Sequence, residues 1–77
     1  MKEFSIYLHS FQELREFTVL ASVQPFRVLV GNDHQLVNGK GFIGMVSLDC
    51  DGPLKVRCDC DNESLLAFQN QASRFLV

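Results

Sequence analysis

The heptapeptide Leu54–Cys60 (LKVRCDC) restricts the fold more than any other stretch of the chain. Leu54, Val56, Cys58 and Cys60 alternate with Lys55, Arg57 and Asp59. At a period of two, the apolar set lies on one face of a β-strand and the charges on the other. One face is dry and the other wet, which suits an antiparallel sheet covered on one side only.

The remaining elements supply strands and a cover. Glu3–Leu8 alternates, with Phe4, Ile6 and Leu8 on one face. Ser10-Phe11-Gln12-Glu13 then reads as a capping box: Ser10 bonds the Glu13 amide and the Glu13 carboxylate reaches back. The helix it opens runs to about Val23. Phe11, Leu14, Phe17, Thr18 and Ala21 form its apolar stripe, with Leu20 at the edge. Pro25 stops the helix and holds Gln24 extended. Phe26–Val30 is a second strand, and Gly31-Asn32-Asp33-His34 holds the turn of a hairpin leading to a short edge strand, Gln35–Val37.

The stretch Leu36–Leu48 (LVNGKGFIGMVSL) is unusual. Its apolar run is too short for an ordinary amphipathic helix and too rich in glycine for a good strand. It reads as a helix of about two turns, Gly41–Leu48, started by Asn38 as cap. Asp49-Cys50-Asp51-Gly52-Pro53 makes a turn before Leu54–Cys60. Asp61 or Asn62 caps a last helix, whose stripe is Leu65, Phe68, Ala72, Phe75 and Leu76. The order is β-α-β-β-α-β-α, an α+β two-layer domain with three helices on one face of a four-stranded sheet.

Seventy-seven residues make one domain over 1–77. A chain of this size buries only about 60 % of its unfolded surface, so its core must be economical. Seven phenylalanines supply much of it. The net charge of −2, with scattered lysines and arginines, gives no electrostatic case for nucleic acid or an anionic membrane surface. No apolar stretch approaches the roughly 20 residues needed to span a bilayer. No signal peptide is visible. Three cysteines form no recognisable disulfide framework. A cytoplasmic protein is expected.

The element order and the segment Val37-Asn38-Gly39-Lys40-Gly41-Phe42-Ile43-Gly44-Met45-Val46-Ser47-Leu48 resemble HPr, the histidine-containing phosphocarrier of the bacterial sugar phosphotransferase system. The family pattern there is Val-Asn-x-Lys-Ser-Ile-Met-Gly-x-Met-Ser-Leu. Similarity also runs through Phe17–Ala21, the Gly52 turn, the fourth strand and the last helix. The resemblance implies an open-faced β-sandwich with sheet order 1-4-2-3. It also implies a phosphorylated histidine in a Gly-Ile/Leu-His-x-Arg-Pro motif at the first helix N-terminus, where amides and an arginine hold the phosphoryl oxygens.

The departures bear on activity. Leu8-His9-Ser10-Phe11-Gln12 occupies that loop, with no arginine two residues after His9 and no proline. Gly41 stands where the family has its regulatory serine, and a glycine accepts no phosphate. These differences point to a non-catalytic, HPr-like binding or regulatory module rather than an enzyme. Its partner would be a protein, a phosphotransferase component or regulator, and the reading calls for no cofactor. In the family, apolar residues of the short helix and the first helix dock partners, which makes Lys40, Phe42 and Ile43 the partner-binding candidates. Met45 and Val46 are expected in the core; Phe42 and Ile43 could face either way.

The alternative is a divergent phosphocarrier on His9, with the Ser10 cap at the helix dipole and Arg15 reaching back. The plainer reading is a surface histidine at a strand end, because transfer needs donors held in fixed geometry. His34 has only a turn role. Cys58 and Cys60 share a core face, and with Cys50 they lack a fourth zinc ligand, so no metal site is expected. Asp49, Asp51, Asp59 and Asp61 lack the regular spacing of a calcium loop. Val37–Gly41 lacks the spacing and the Ser/Thr of a phosphate loop.

Overall fold

In the computed structural model, which describes residues 2–77, the chain forms β1 (Lys2–Ile6), α1 (Phe11–Ser22), β2 (Val28–Gly31) and β3 (Leu36–Asn38). It continues as α2 (Phe42–Ser47), β4 (Leu54–Cys58) and α3 (Asn62–Gln71), with a 3-10 turn at Ser73–Phe75. The four strands make one antiparallel sheet in the order β1-β4-β2-β3. In register, Phe4 faces Val56 and Val56 faces Val30. The alternation of β4 therefore continues across three strands: Ile6, Val30, Leu54, Val56 and Cys58 are all buried under the helices. Glu3, Lys55 and Arg57 lie on the open face, where Arg57 pairs with Glu3 at 3.3 Å.

Helices close the other face through aromatic packing. Phe68 of α3 meets Phe4, Phe17 and Phe26 at centroid distances of 5.5, 5.9 and 5.9 Å, and Phe75 stands edge-on to Phe17 at 6.0 Å. Such pairs contribute beyond their burial alone. Beneath α2, Met45 and Leu48 reach the same core.

Several elements are shorter than their patterns predict. β1 stops at Ile6, although Leu8 remains buried. β2 begins at Val28 because Gln24–Phe26 still bend away from α1 after Pro25; Phe26 packs on the core without pairing. Strand pairing of β4 ends at Cys58, leaving Cys60 half-buried beside the start of α3. The last apolar stripe is divided. α3 ends at Gln71, and a tighter turn carries Phe75 inward while Leu76 is exposed. The free edge of β1 explains this break. The Tyr7 amide donates to the Phe75 carbonyl at 2.8 Å and the Val77 amide to the Ser5 carbonyl at 3.2 Å. The tail thus covers an edge that would otherwise stay open to pairing.

Candidate functional site

The first helix begins as its capping box predicts, with one change of partner. Ser10 Oγ accepts from the Glu13 amide at 3.1 Å. The Glu13 carboxylate, however, accepts from the His9 amide at 2.9 Å, one residue upstream of the cap. That bond is the main cause holding the Glu13 carboxyl below its usual range, with the His9 ring and Arg74 adding to it. His9 is exposed, with its ring stacked on Tyr7 at 4.4 Å and Nδ1 3.4 Å from Glu13 Oε1. Tyr7 in turn donates to the Asp51 carbonyl at 3.0 Å. Arg15 points to the outer face of α1, among Gln12, Glu16 and Val19, and makes no ion pair among the described residues. The structure therefore gathers His9, Ser10 and Glu13 but does not bring Arg15 to them.

The second constellation is α2. Asn38 does not cap this helix, contrary to its reading as a start signal. Its Oδ1 accepts from the Lys40 amide at 3.0 Å, closing a turn within Asn38–Gly41, and Gly41 becomes the N-cap with no side-chain bond. An Asn side chain two residues from a free amide favours this local turn over a cap three residues farther on. The Lys40 ammonium donates to the Gln24 carbonyl at 2.6 Å. It anchors the turn to the end of α1, whose last turn carries no basic residue, and complements the carbonyl-rich end of that helix.

Of the apolar side chains on α2 one is buried and three are outward. Met45 is sealed in the core. Ile43 is 86 % exposed, Val46 48 % and Phe42 41 %. Val46 is thus outside the core in which its pattern places it, because a six-residue helix over a β-sheet presents only a narrow inner face. Gly44 lets α2 sit close to β3: a Cβ there would lie 3.4 Å from Val37 Cβ.

Phe11 is the residue that the sequence pattern misplaces most. It is 62 % exposed rather than part of the core stripe, and it stands edge-on to Phe42 at 5.6 Å. Phe11 and Phe42 thus make an apolar contact between α1 and α2, and Ile43 and Val46 are the other exposed apolar side chains of α2. The available signal was its spacing: Phe11, Arg15, Val19 and Val23 recur every four residues on the outer face, and Val19 and Val23 are also exposed.

His34 sits in the β2–β3 turn, with its amide donating to Asn32 Oδ1 at 2.8 Å. Asp61 caps α3 by accepting from the Ser64 amide at 2.8 Å, which holds its carboxyl below the usual range. Cys50, Cys58 and Cys60 are all free thiols. Burial, aided by neighbouring Cys60, pushes the Cys58 thiol up to about 12. Among the described residues no group of three or more His, Cys, Asp or Glu side chains converges as metal ligands. No helix of the described residues is long and apolar enough to cross a membrane.

No family model matches the sequence, and no curated protein matches it. Solved structures do. HPr-C-His from Thermoanaerobacter tengcongensis superposes with a TM-score of 0.72 at 22 % identity, over 95 % of this chain and 92 % of that one. A mycoplasma histidine-containing phosphocarrier protein superposes with a TM-score of 0.65 at 12 % identity, over 92 % of this chain and 96 % of that one. At these identities the likeness is one of architecture. With its sheet order and three helices, the chain has the HPr-like open-faced β-sandwich fold.

Proposed function

We propose that this chain is a non-catalytic HPr-like module that binds a protein partner, a component or regulator of the phosphotransferase system, through Phe42 and Ile43. One observation carries the reading: Ile43 is almost fully exposed on a short helix whose Phe42 ring, also exposed, stands edge-on to the exposed ring of Phe11. Contiguous exposed apolar side chains of this kind are a mark of interaction surfaces. Lys40 holds the base of that helix through Gln24 and keeps two ammonium donors for a partner.

The phosphocarrier reading has His9 exposed at the foot of α1 in its favour. Its surroundings speak against it. Glu13 places a carboxylate at the ring nitrogen, where an incoming phosphoryl group would meet like charge, and Arg15 faces away. Ser10 Oγ is engaged with the Glu13 amide.

The test pairs phosphotransfer with binding. The protein is incubated with phosphoenolpyruvate and the first enzyme of the phosphotransferase system, with an ordinary HPr as control. Intact mass at neutral pH is expected to stay unchanged while the control gains a phosphoryl group. An acid-labile phosphoryl mass, abolished by His9→Ala, would overturn the reading. Amide shifts at Phe42 and Ile43 on titration with that enzyme, lost in Ile43→Asp, are the positive result.

A further inference from the structure

Cys58-Asp59-Cys60 belongs neither to the α2 surface nor to the surroundings of His9. It is the joint between the interior strand β4 and the helix α3. Cys58 is sealed in the core and lies in register with Lys2 and Val28. Cys60 stands two residues on, half-buried against the same core, where the backbone leaves the strand and bends. Asp61 follows at once as the cap of α3. Both thiols are free, and each acts on the other. Burial raises both. Beyond that, Cys60 raises Cys58 further while Cys58 lowers Cys60, the signs expected when Cys58 Sγ donates and Cys60 Sγ accepts. Lys2 adds a cation near Cys60. The third thiol, Cys50, precedes the opposite end of β4 and donates to the Leu48 carbonyl at 3.4 Å.

We infer that Cys58 and Cys60 are a redox-active pair, which a low-molecular-weight disulfide closes reversibly into a bridge that loosens the β4–α3 joint. The Cys60 thiolate attacks one sulfur of that disulfide, forming a mixed disulfide and releasing one small thiolate. Cys58 is closed to the reagent itself and is reached only through Cys60. Its sulfur attacks Cys60 Sγ, the Cys58–Cys60 bond forms and the second small thiolate leaves. The two protein thiols are oxidised, the small disulfide is reduced, and the two thiol protons end on the two released thiolates. Proximity favours this second step over capture of Cys58 from solution. The spacing makes the bridge labile. Two residues of extended strand separate their Cα atoms by about 6.6 Å, at the outer limit for a disulfide. Closure therefore bends the end of β4 further and draws the Cys58 sulfur out of the core. A bond that costs such distortion is readily reduced, as in regulatory rather than structural disulfides.

The test places the whole 15N-labelled protein in glutathione buffers at about pH 8, where thiolate exchange is fast. Remaining free thiols are then alkylated and the chain is cut with trypsin. Cleavage after Arg57 and Arg74 keeps both cysteines in one peptide, 58–74, apart from Cys50. In excess glutathione disulfide this peptide is expected to be lighter by two hydrogens and to retain no glutathione, and excess reduced glutathione is expected to restore it. The oxidised protein is expected to show shifted amides at Lys2, Val28, Asp61 and Ser64, and a lower urea midpoint than the reduced protein. Cys60→Ser prevents the loss of hydrogens. Cys58→Val, which keeps the core filled, leaves glutathione on Cys60. An otherwise unchanged spectrum verifies that each variant folds. A lasting glutathione adduct on Cys60 of the parent, a bridge to Cys50 or an unreactive pair overturns the inference, and so does a midpoint that oxidation leaves unchanged or raises. No partner protein enters these measurements, so their failure leaves the α2 reading standing.

Discussion

A Cβ on Gly39 would stand 2.8 Å from Val30 Cγ2 and 2.9 Å from Val28 Cγ1, while the Gly39 amide donates to the Val28 carbonyl at 2.8 Å. Both contacts are methyls of sealed core residues with restricted rotamers, so neither gives way easily. Gly39→Ala is therefore expected to cost about 1–3 kcal/mol, read as a lower urea midpoint. Gly52 is the control, since a Cβ there meets nothing within 4 Å and no glycine of the described residues has positive φ. Gly52→Ala should leave stability unchanged or raise it by up to about 1 kcal/mol. The same scale holds a prediction for Cys58. Its thiol is sealed and pushed up to about 12, so below that it stays neutral and inert to a disulfide reagent in the native state, while Cys60 reacts first. A raised thiol pKa contributes stability that is present below the ordinary thiol value and lost as pH rises from about 8.5 toward the folded value. Measured against its own stability at neutral pH, Cys58→Ala should lose less on alkaline titration than the parent does.

At the scale of elements, two helices are held at their starts by carboxylates whose pKa values are lowered: Glu13 by the His9 amide and Asp61 by the Ser64 amide. A lowered carboxylate contributes stability that is present above its ordinary value, near about pH 4, and is lost as pH falls through the folded value. The amide signals of His9 and Ser64 should move together with the fraying of α1 and α3 on acidification. Ser10→Ala should cost about 0.5–2 kcal/mol at neutral pH and start this fraying earlier. These starts were legible because a capping residue and its helix are adjacent in sequence. The alternation of Leu54–Cys58 was legible for the same reason, and it carries through register into β1 and β2. Where a long-range partner decides, the local pattern misleads. The break after Gln71 follows from the tail pairing with β1, about seventy residues earlier in the chain. Asn38 looks like a cap until its own turn takes the bond. The strand order is written in no single element, and it came from the resemblance of the Val37–Leu48 segment to HPr.

The whole molecule separates what holds the fold from what is displayed on it, and α2 contains both within three residues. Met45 is sealed beneath the helix and Ile43 stands in solvent above it. The sequence named Ile43 and Phe42 as docking candidates, but it could not orient them, since six residues make too few turns for a stripe to declare its face. It missed Phe11, which belongs both to the α1 stripe and to the four-residue outer row with Val19 and Val23, and whose exposed ring meets Phe42. The two roles predict opposite behaviour. Met45→Ala removes a buried side chain and should lower stability by about 2–5 kcal/mol, with partner binding recovered wherever the protein remains folded. Ile43→Asp removes no buried contact and should leave the unfolding midpoint within about 0.5 kcal/mol of the parent, while it abolishes binding, because a carboxylate would be desolvated in an apolar contact. Denaturant melts and a binding titration on the same two variants check this. If Ile43→Asp melts early, α2 depends on that side chain for packing; if it binds normally, the partner surface lies elsewhere on the molecule.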